Sequence, residues 1–329
     1  MLRNPWVARN TAGVLLSETA ISDEILRWAE TVLGQSPTRG HGYNTWVLLG
    51  RDVVLKIDPA PGRPDRFNHE VALRRFAKSL PLLPAIRDSG EFRGHTWLLQ
   101  ERMPGVPAFE RWLQLGAARQ RGLMSELASA LAAFQQLQPD PKLLHAPMWP
   151  WAENVGEAFD RSLKAVSEII PASYMKRAEA AFAHWLPYLK ERPRVLCHGD
   201  LWFGNLLIDE KGRLSGILDF DRLALAPPEY ELDMLVRFWW YPADFVPEEW
   251  ESRYPEPLPW RLLDPLVRLC AKGYSADELT ARLSILELTY RLGIAARFGW
   301  SDKHHEMLDR VLSGNWTKAL LDADDPAAR

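Results

Sequence analysis

Four polar residues sit close together among apolar runs in the stretch VLCHGDLWFGNLLIDEKGRLSGILDF, residues 195–220: His198, Asp200, Asn205 and Asp219. Asp200 and Asn205 lie five positions apart across a turn bearing Gly204, and Asp219 follows fourteen later at the end of a second apolar run. An acid, an amide and a second acid on adjacent strand ends can converge on one point. One carboxylate can then accept a proton while the other groups hold a hard cation through oxygen, the division of labour that phosphoryl transfer needs. Neutral imidazole is a poor Mg²⁺ ligand, so His198 is expected to brace the loop by hydrogen bonds. A metal site, a hydrolase relay and a well-capped turn are the other readings of the same residues, and in the last Asp200 and Asn205 only satisfy backbone groups.

A second group lies far upstream. Gly40-His41-Gly42-Tyr43-Asn44 precedes the apolar run TWVLL, Lys56 sits in the next run as V-L-K-I, and Glu70 follows fourteen residues after Lys56. A glycine-bearing turn lets backbone N–H groups approach phosphates, and a lysine on the adjoining strand reaches them as a point charge. Glu70 is the natural ion-pair partner for that lysine. The plain alternative is an ordinary hairpin loop, a Lys56 that snorkels from an edge strand and a Glu70 that pairs with Arg74 four residues on.

The elements that must position these groups can be read coarsely. Residues 21–33 have helical spacing, with Ser22 as a possible cap and Gly34 just past the end. TWVLL and VVLKI around Gly50-Arg51-Asp52 read as a hairpin closed by Pro61 and Pro64, residues 67–78 as a helix, and PAIRDSGEF and HTWLLQER as two strands around Arg93-Gly94. Met103-Pro104-Gly105 punctuates the chain where it passes to a region, residues 107–192, of helical character. Brief strands are expected around VLCHGD, NLLID and SGILDF, and helices after them. The sum is a small β-rich lobe, a connector and a large helical lobe.

In this order the motifs resemble those of the aminoglycoside phosphotransferase and choline kinase group of small-molecule kinases, relatives of the protein-kinase fold. The resemblance runs from Gly40 to about Asp233 and is carried most strongly by HGDLWFGN followed by ILDF. It implies an α+β, bilobal protein-kinase-like fold, with a nucleotide-binding lobe over residues 1–103 and a helical lobe with catalytic loop and acceptor site over residues 104–329. It further implies ATP and Mg²⁺ as cofactors, Asp200 as the base, Asn205 and Asp219 as Mg²⁺ ligands, and Lys56 on the α/β-phosphates with Glu70 orienting it. Gly40, Gly42 and Asn44 would form the turn over the phosphates. Gln100, Glu101 and Met103 would belong to the connector whose backbone meets the adenine.

Departures from the protein kinases narrow the expectation. Gly199 stands where their HRD motif has arginine, Asp221 replaces the glycine of DFG, and no APE-like segment follows, which favours a small-molecule acceptor over a protein. In PPEYELDML either Glu231 or Asp233 fills the acidic position that follows. Residues 225–256 carry eight acids (Glu229, Glu231, Asp233, Asp244, Glu248, Glu249, Glu251 and Glu256) against Arg237 and Arg253, a local net of minus six. Lining an acceptor cleft, they would favour an amine-bearing hydroxyl compound, aminoglycoside-like, choline-like or an amino sugar; as a solvated face they would do nothing of the kind. Phe238, Trp239, Trp240 and Tyr241 are expected in the core beneath them, Trp149 and Trp151 either rim a pocket or plug a gap, and the adjacent His304 and His305 make a poor metal pair. The other readings kept are a catalytically inactive nucleotide-binding module and a kinase of a ketosamine, macrolide or homoserine.

Composition excludes more than it selects. A chain of 329 residues with 47% hydrophobic and 25% charged residues has the makings of a sizeable core. A net charge of −3 and a pI near 6.3 lack the basic excess that gripping a nucleic-acid backbone requires. Two cysteines, Cys197 and Cys270, are too few for a disulfide framework or a Cys-based zinc site. The first residues, MLRNPWVARNTAG, lack a signal-peptide core, and no run is long enough to span a bilayer. The expectation is a cytoplasmic protein, monomeric or homodimeric, with a small-molecule acceptor and neither nucleic acid nor membrane as partner.

Overall fold

In the computed structural model, which describes residues 20–40, 42, 44–77, 80–138, 155–255, 257–300 and 302–317, the first helix begins where its cap is written. Ser22 Oγ accepts the Ile25 N–H at 3.3 Å and Gly34 closes the other end in the left-handed conformation, so α1 spans Asp23–Leu33. Its apolar stripe, Ile25 and Ala29, packs on Trp46, Leu48, Leu55 and Ile57 of the sheet that follows. Each such buried Leu or Ile side chain contributes about 2 kcal/mol of burial.

That sheet comprises β1 (Thr38–Arg39), β2 (Trp46–Leu49), β3 (Val53–Ile57), β4 (Ile86–Phe92) and β5 (His95–Glu101), with α2 (Asn68–Phe76) inserted after β3. Its order is β1-β2-β3-β5-β4, antiparallel throughout. Both expected hairpins form, but β5 inserts beside β3, so β3 is a central strand and Lys56 does not lie on an edge. Period-two alternation sends Leu55 and Ile57 toward α1 and Lys56 to the opposite face, where α2 lies.

After the connector come β6 (Val106–Pro107), α3 (Ala108–Arg111), α4 (Ala117–Gln135), α5 (Val155–Ala165), α6 (Ala172–Trp185), β7 (Val195–Cys197), β8 (Leu206–Ile208), β9 (Leu214–Ile217) and β10 (Ala224–Ala226). The helices α7 (Tyr230–Trp240), α8 (Glu248–Glu251), α9 (Asp264–Cys270), α10 (Ala276–Phe298) and α11 (Asp302–Leu312) follow among the described residues. The fold is α+β, a β-sheet N-terminal lobe joined to a mostly helical C-terminal lobe. Besides β1, two strands of the helical lobe went unread in the sequence, β6, which pairs with β8, and β10, which pairs with β7; these two matter most here. They frame the short ladders that carry the polar loop.

The helical lobe has its own large core, in which Phe238 and Trp239 pack around Phe203 and Trp112, so the aromatic run is interior as expected. Leu73 of α2 with Ala77 and Leu83 also joins this core, and Ile217 N–H donates to Leu82 O at 2.8 Å. The two lobes are thus tied by packing behind the cleft. Cys197 and Cys270 are buried and free. Among the described residues no helix is long and apolar enough to cross a membrane. Residues 1–19, His41, Tyr43, Trp149, Trp151 and Glu256, on which parts of the sequence reading fell, lie outside the described residues.

Candidate active site

Lys56 and Glu70 meet across the face of the sheet. Lys56 Nζ donates to Glu70 Oε1 at 2.6 Å and lies 3.7 Å from Asp219 Oδ1, so a residue of β3 is brought against one more than 160 positions away. Burial draws the lysine pKa down, but the carboxylates of Glu70, Asp219 and Asp221 more than offset it and hold the ammonium above its ordinary value. Arg74, the competing partner for Glu70, donates instead to Ala77 O (3.2 Å) and Leu80 O (3.4 Å).

The glycine turn lies between β1 and β2, with Gly40 N–H donating to Val47 O at 2.8 Å. That N–H closes the hairpin. A Cβ at position 42 would collide with Thr45 O, so the tight return of the turn requires Gly42 there. Asn44 follows in the same turn. At the connector, Gln100 and Glu101 end β5, the Glu101 N–H donates to Ala85 O (2.7 Å) and the Arg102 N–H to Asp52 O (2.9 Å), while Glu101 ion-pairs with Arg87. The Glu101 and Arg102 N–H groups are therefore committed within the N-terminal lobe, and Met103 is the first connector residue beyond them. Gln100 Oε1 is buried without a hydrogen-bond partner, an orphan acceptor beside the connector.

The polar loop between β7 and β8 is built by hydrogen bonds to its neighbours. His198 is fully buried, its Nε2 donates to Leu218 O at 2.9 Å and its Nδ1 accepts the Asp200 N–H at 3.2 Å. Each ring nitrogen thus has the partner a neutral imidazole wants, and burial lowers its pKa to about 4. Asn205 Nδ2 donates to Asp200 O (2.8 Å) and Asp200 Oδ2 (3.3 Å), and Leu218 N–H donates to Asn205 O at 2.8 Å. Those bonds hold the residue before Asp219, whose φ of 63° lies in the left-handed region a non-glycine residue enters only under constraint.

Gly199 has φ +74°, and a Cβ there would come within 2.6 Å of Arg222 O and of the Tyr230 ring. The glycine in the kinase arginine's place is thus required by close packing. Glu231 accepts the N–H groups of His198 (2.5 Å) and Gly199 (3.2 Å), which answers which acid serves this loop: Asp233 turns away to Arg237 at 2.5 Å.

Electrostatically the site is acidic and shielded. Burial raises the Asp200 pKa against the pull of Arg222, whose Nη1 lies 3.6 Å from Asp200 Oδ1. Burial and the neighbouring Asp221 push Asp219 up to about 6 against the pull of Lys56. Oxygens of Glu70, Asp219 and Asp221 lie within 4.8 Å of one another. These three donors are carboxylate oxygens only, the set that suits a hard cation such as Mg²⁺.

Sequence reasoning missed two arginines. Arg222 stands beside Asp200, and Arg66 Nη2 pairs with Asp221 Oδ2 at 2.5 Å. Neither follows a local pattern: Arg66 and its partner are 155 positions apart. The acidic tally of residues 225–256 also needs correcting, because three of its eight acids face inward. Glu229 pairs with Arg282 at 2.7 Å, Asp233 with Arg237, and Glu231 caps the loop. Asp244, Glu248, Glu249 and Glu251 remain partly or fully exposed. His305 contacts Trp300 and Tyr174, and His304 is buried, an aromatic packing arrangement.

Comparison with known proteins points one way. The model of the phosphotransferase enzyme family matches residues 39–263. A curated aminoglycoside 3'-phosphotransferase of Streptomyces fradiae is 29% identical over 162 residues, 47% of this chain and 58% of that protein, so the match spans little more than half of the relative. The streptomycin–ATP ternary complex of APH(2'')-IIa superposes with a TM-score of 0.65 at 12% identity, covering 91% of this chain and 99% of that one. ADP-bound aminoglycoside phosphotransferase APH(2'')-Ib gives 0.63 at 15% identity over 92% and 99%. At such identities these structural likenesses bear on the fold.

Proposed function

The chain belongs to the phosphotransferase enzyme family, and on that premise we propose that it transfers the γ-phosphate of ATP to a hydroxyl of a small, amine-bearing molecule. Residues 1–103 form the nucleotide-binding lobe and residues 104–329 the helical lobe with the catalytic loop and acceptor site. The adenine lies against the connector at Gln100, Glu101 and Met103, the glycine turn of Gly40, Gly42 and Asn44 covers the phosphates, and Lys56, oriented by Glu70, bears on the α/β-phosphates. Asp200 accepts the proton of the acceptor hydroxyl as its oxygen attacks the γ-phosphorus and ADP departs. Burial, which raises its pKa, makes it a stronger base than a free carboxylate. Asn205 and Asp219 would hold Mg²⁺, which would neutralise charge on the phosphates.

The observation that carries this reading is the 3.7 Å approach of Lys56 to Asp219. A lysine from the sheet and an acid from the helical lobe face one volume, beside a carboxylate whose loop is hydrogen-bonded in place. An amine-bearing acceptor is supported by the four outward acids of residues 225–256 and by the curated relative, an aminoglycoside 3'-phosphotransferase.

The test is ADP release from MgATP in the presence of aminoglycosides, choline, ethanolamine, amino sugars, ketosamines, macrolides and homoserine. Release above the acceptor-free rate with an amine-bearing hydroxyl compound supports the proposal. Thermal protection by MgATP with no release in any mixture would indicate a nucleotide-binding module instead.

A further inference from the structure

We infer that Arg66 is a positioning residue for this transfer: it latches the sheet lobe to Asp221 and so sets the spacing between Lys56 and Asp219. The inference rests on the phosphotransferase reading and adds to it a residue that no motif contains. Arg66 lies in the segment between β3 and α2, and its side chain is largely buried. Nη2 donates to Asp221 Oδ2 at 2.5 Å and lies 3.4 Å from Thr45 Oγ1, and Nε lies 4.0 Å from Asp58 Oδ2. The guanidinium also rests 5.4 Å from the Phe67 ring centroid. One planar cation therefore reaches the glycine turn, the end of β3 and the segment two residues past Asp219.

That placement gives the arginine leverage on the reaction. Phosphates gripped jointly by Lys56 and through Asp219 need both lobes at one separation, and a misplacement of about 1 Å can cost roughly a hundredfold in rate. The Arg66–Asp221 pair spans the same gap as the Lys56–Asp219 approach and is its structural neighbour. It also gives a reason for Asp221 where protein kinases have glycine. An unpaired third carboxylate beside Glu70 and Asp219 would add repulsion, but paired with Arg66 it becomes the C-lobe half of the latch. Arginine suits the task because its rigid fork offers several donors in fixed directions, whereas lysine offers a single flexible point charge.

The experiment compares ATP binding with and without Mg²⁺, by calorimetry, in the wild type, Arg66→Met, Asp221→Asn, the double variant, Arg66→Lys and the control Arg63→Met, whose exposed guanidinium pairs with Asp58. Each single variant is expected to lose about tenfold of the gain in ATP affinity that Mg²⁺ confers, and the double variant no more than either single, as for two ends of one contact. Arg66→Lys, a single point charge in place of the fork, is expected to fall between the wild type and Arg66→Met, and Arg63→Met leaves the gain unchanged. A merely structural role would lower melting temperature without altering that gain.

The inference is overturned if the losses of the two singles add in the double, or if both singles match the wild type. It is likewise overturned if Asp221→Asn weakens the gain while Arg66→Met strengthens it, the signature of Asp221 as a metal ligand competing with Arg66. A wild type that binds no MgATP fails the phosphotransferase reading itself, and the latch with it.

Discussion

Glu231 accepts the backbone N–H groups of His198 and Gly199, at 2.5 and 3.2 Å, so a carboxylate from the first turn of α7 holds the start of the loop that carries Asp200. Burial pushes its carboxyl pKa up to about 7 from 4.5, against the pull of those two donors, whereas burial lowers His198 from 6.5 to about 4. The two shifts have opposite consequences for stability. Glu231 holds its proton more tightly folded than unfolded, so its contribution is present below pH 4.5 and is lost as pH climbs through about 7. His198 resists protonation when folded, so its contribution is present above pH 6.5 and is lost as pH falls toward 4.

Between pH 4.5 and 6.5 these slopes cancel in the wild type. Glu231→Gln should therefore expose the histidine, stability rising with pH by about 1.4 kcal/mol per unit relative to the wild type. His198→Asn should give the opposite slope. Urea unfolding at several pH values in that window checks both, and parallel curves for all three proteins would refute the assignment.

Lys56 and Glu70 form a buried pair, and removing one partner strands the other. Lys56→Met is expected to lower kcat/KM for MgATP at least a hundredfold, about 3 kcal/mol of transition-state stabilisation, and to lower stability by about 3 kcal/mol because Glu70 is left as an unpaired buried charge. Adding Glu70→Leu should restore the melting temperature and leave activity lost. Recovery of both would mean that the lysine serves only the fold.

Gly199→Ala tests the close packing behind the loop. Its Cβ must displace Arg222 O and the Tyr230 ring, both 2.6 Å away, and its φ of +74° disfavours any side chain. Turnover should fall more than tenfold, while Gly62→Ala, also at positive φ but with nothing near its Cβ, retains it. Steady-state rates of the two variants, at matched folded fraction, decide the matter.

Deep in the helical lobe, Arg237 is fully buried between Asp233 and Glu287, and Arg291 also pairs with Glu287. Arg237→Met should destabilise by about 3–5 kcal/mol, since buried carboxylates lose their counter-charge. A melting temperature unchanged within a degree or two would show that the network adds no net stability.

What was legible in the sequence was what is local. The Ser22 cap, the Gly34 stop and the hairpin around Gly50 to Asp52 depend on residues within a few positions of one another, and they formed where they were read. Asp200 and Asn205 share one turn, and their hydrogen bonds follow from that closeness. Strand order does not, because β5 displaces β3 from an edge through pairing with a segment forty residues on. Glu229, Glu231 and Asp233 look like surface acids until Arg282, His198, Gly199 and Arg237 are placed beside them. An acid's burial is set by a distant partner, and so is the Arg66–Asp221 latch. Glu231 and Asp233 both sit in the first turn of α7, and only the position of the β7 loop distinguishes them.

Whether Asp200 is the base of a phosphoryl transfer is decided by Asp200→Asn. With the acceptor that releases most ADP, product is followed by mass spectrometry as the gain of one phosphoryl group, alongside MgATP binding by calorimetry. The wild type is expected to yield this product, while the variant binds MgATP about as tightly and forms product at least a hundredfold more slowly. Product formed by the variant at the wild-type rate would contradict that role.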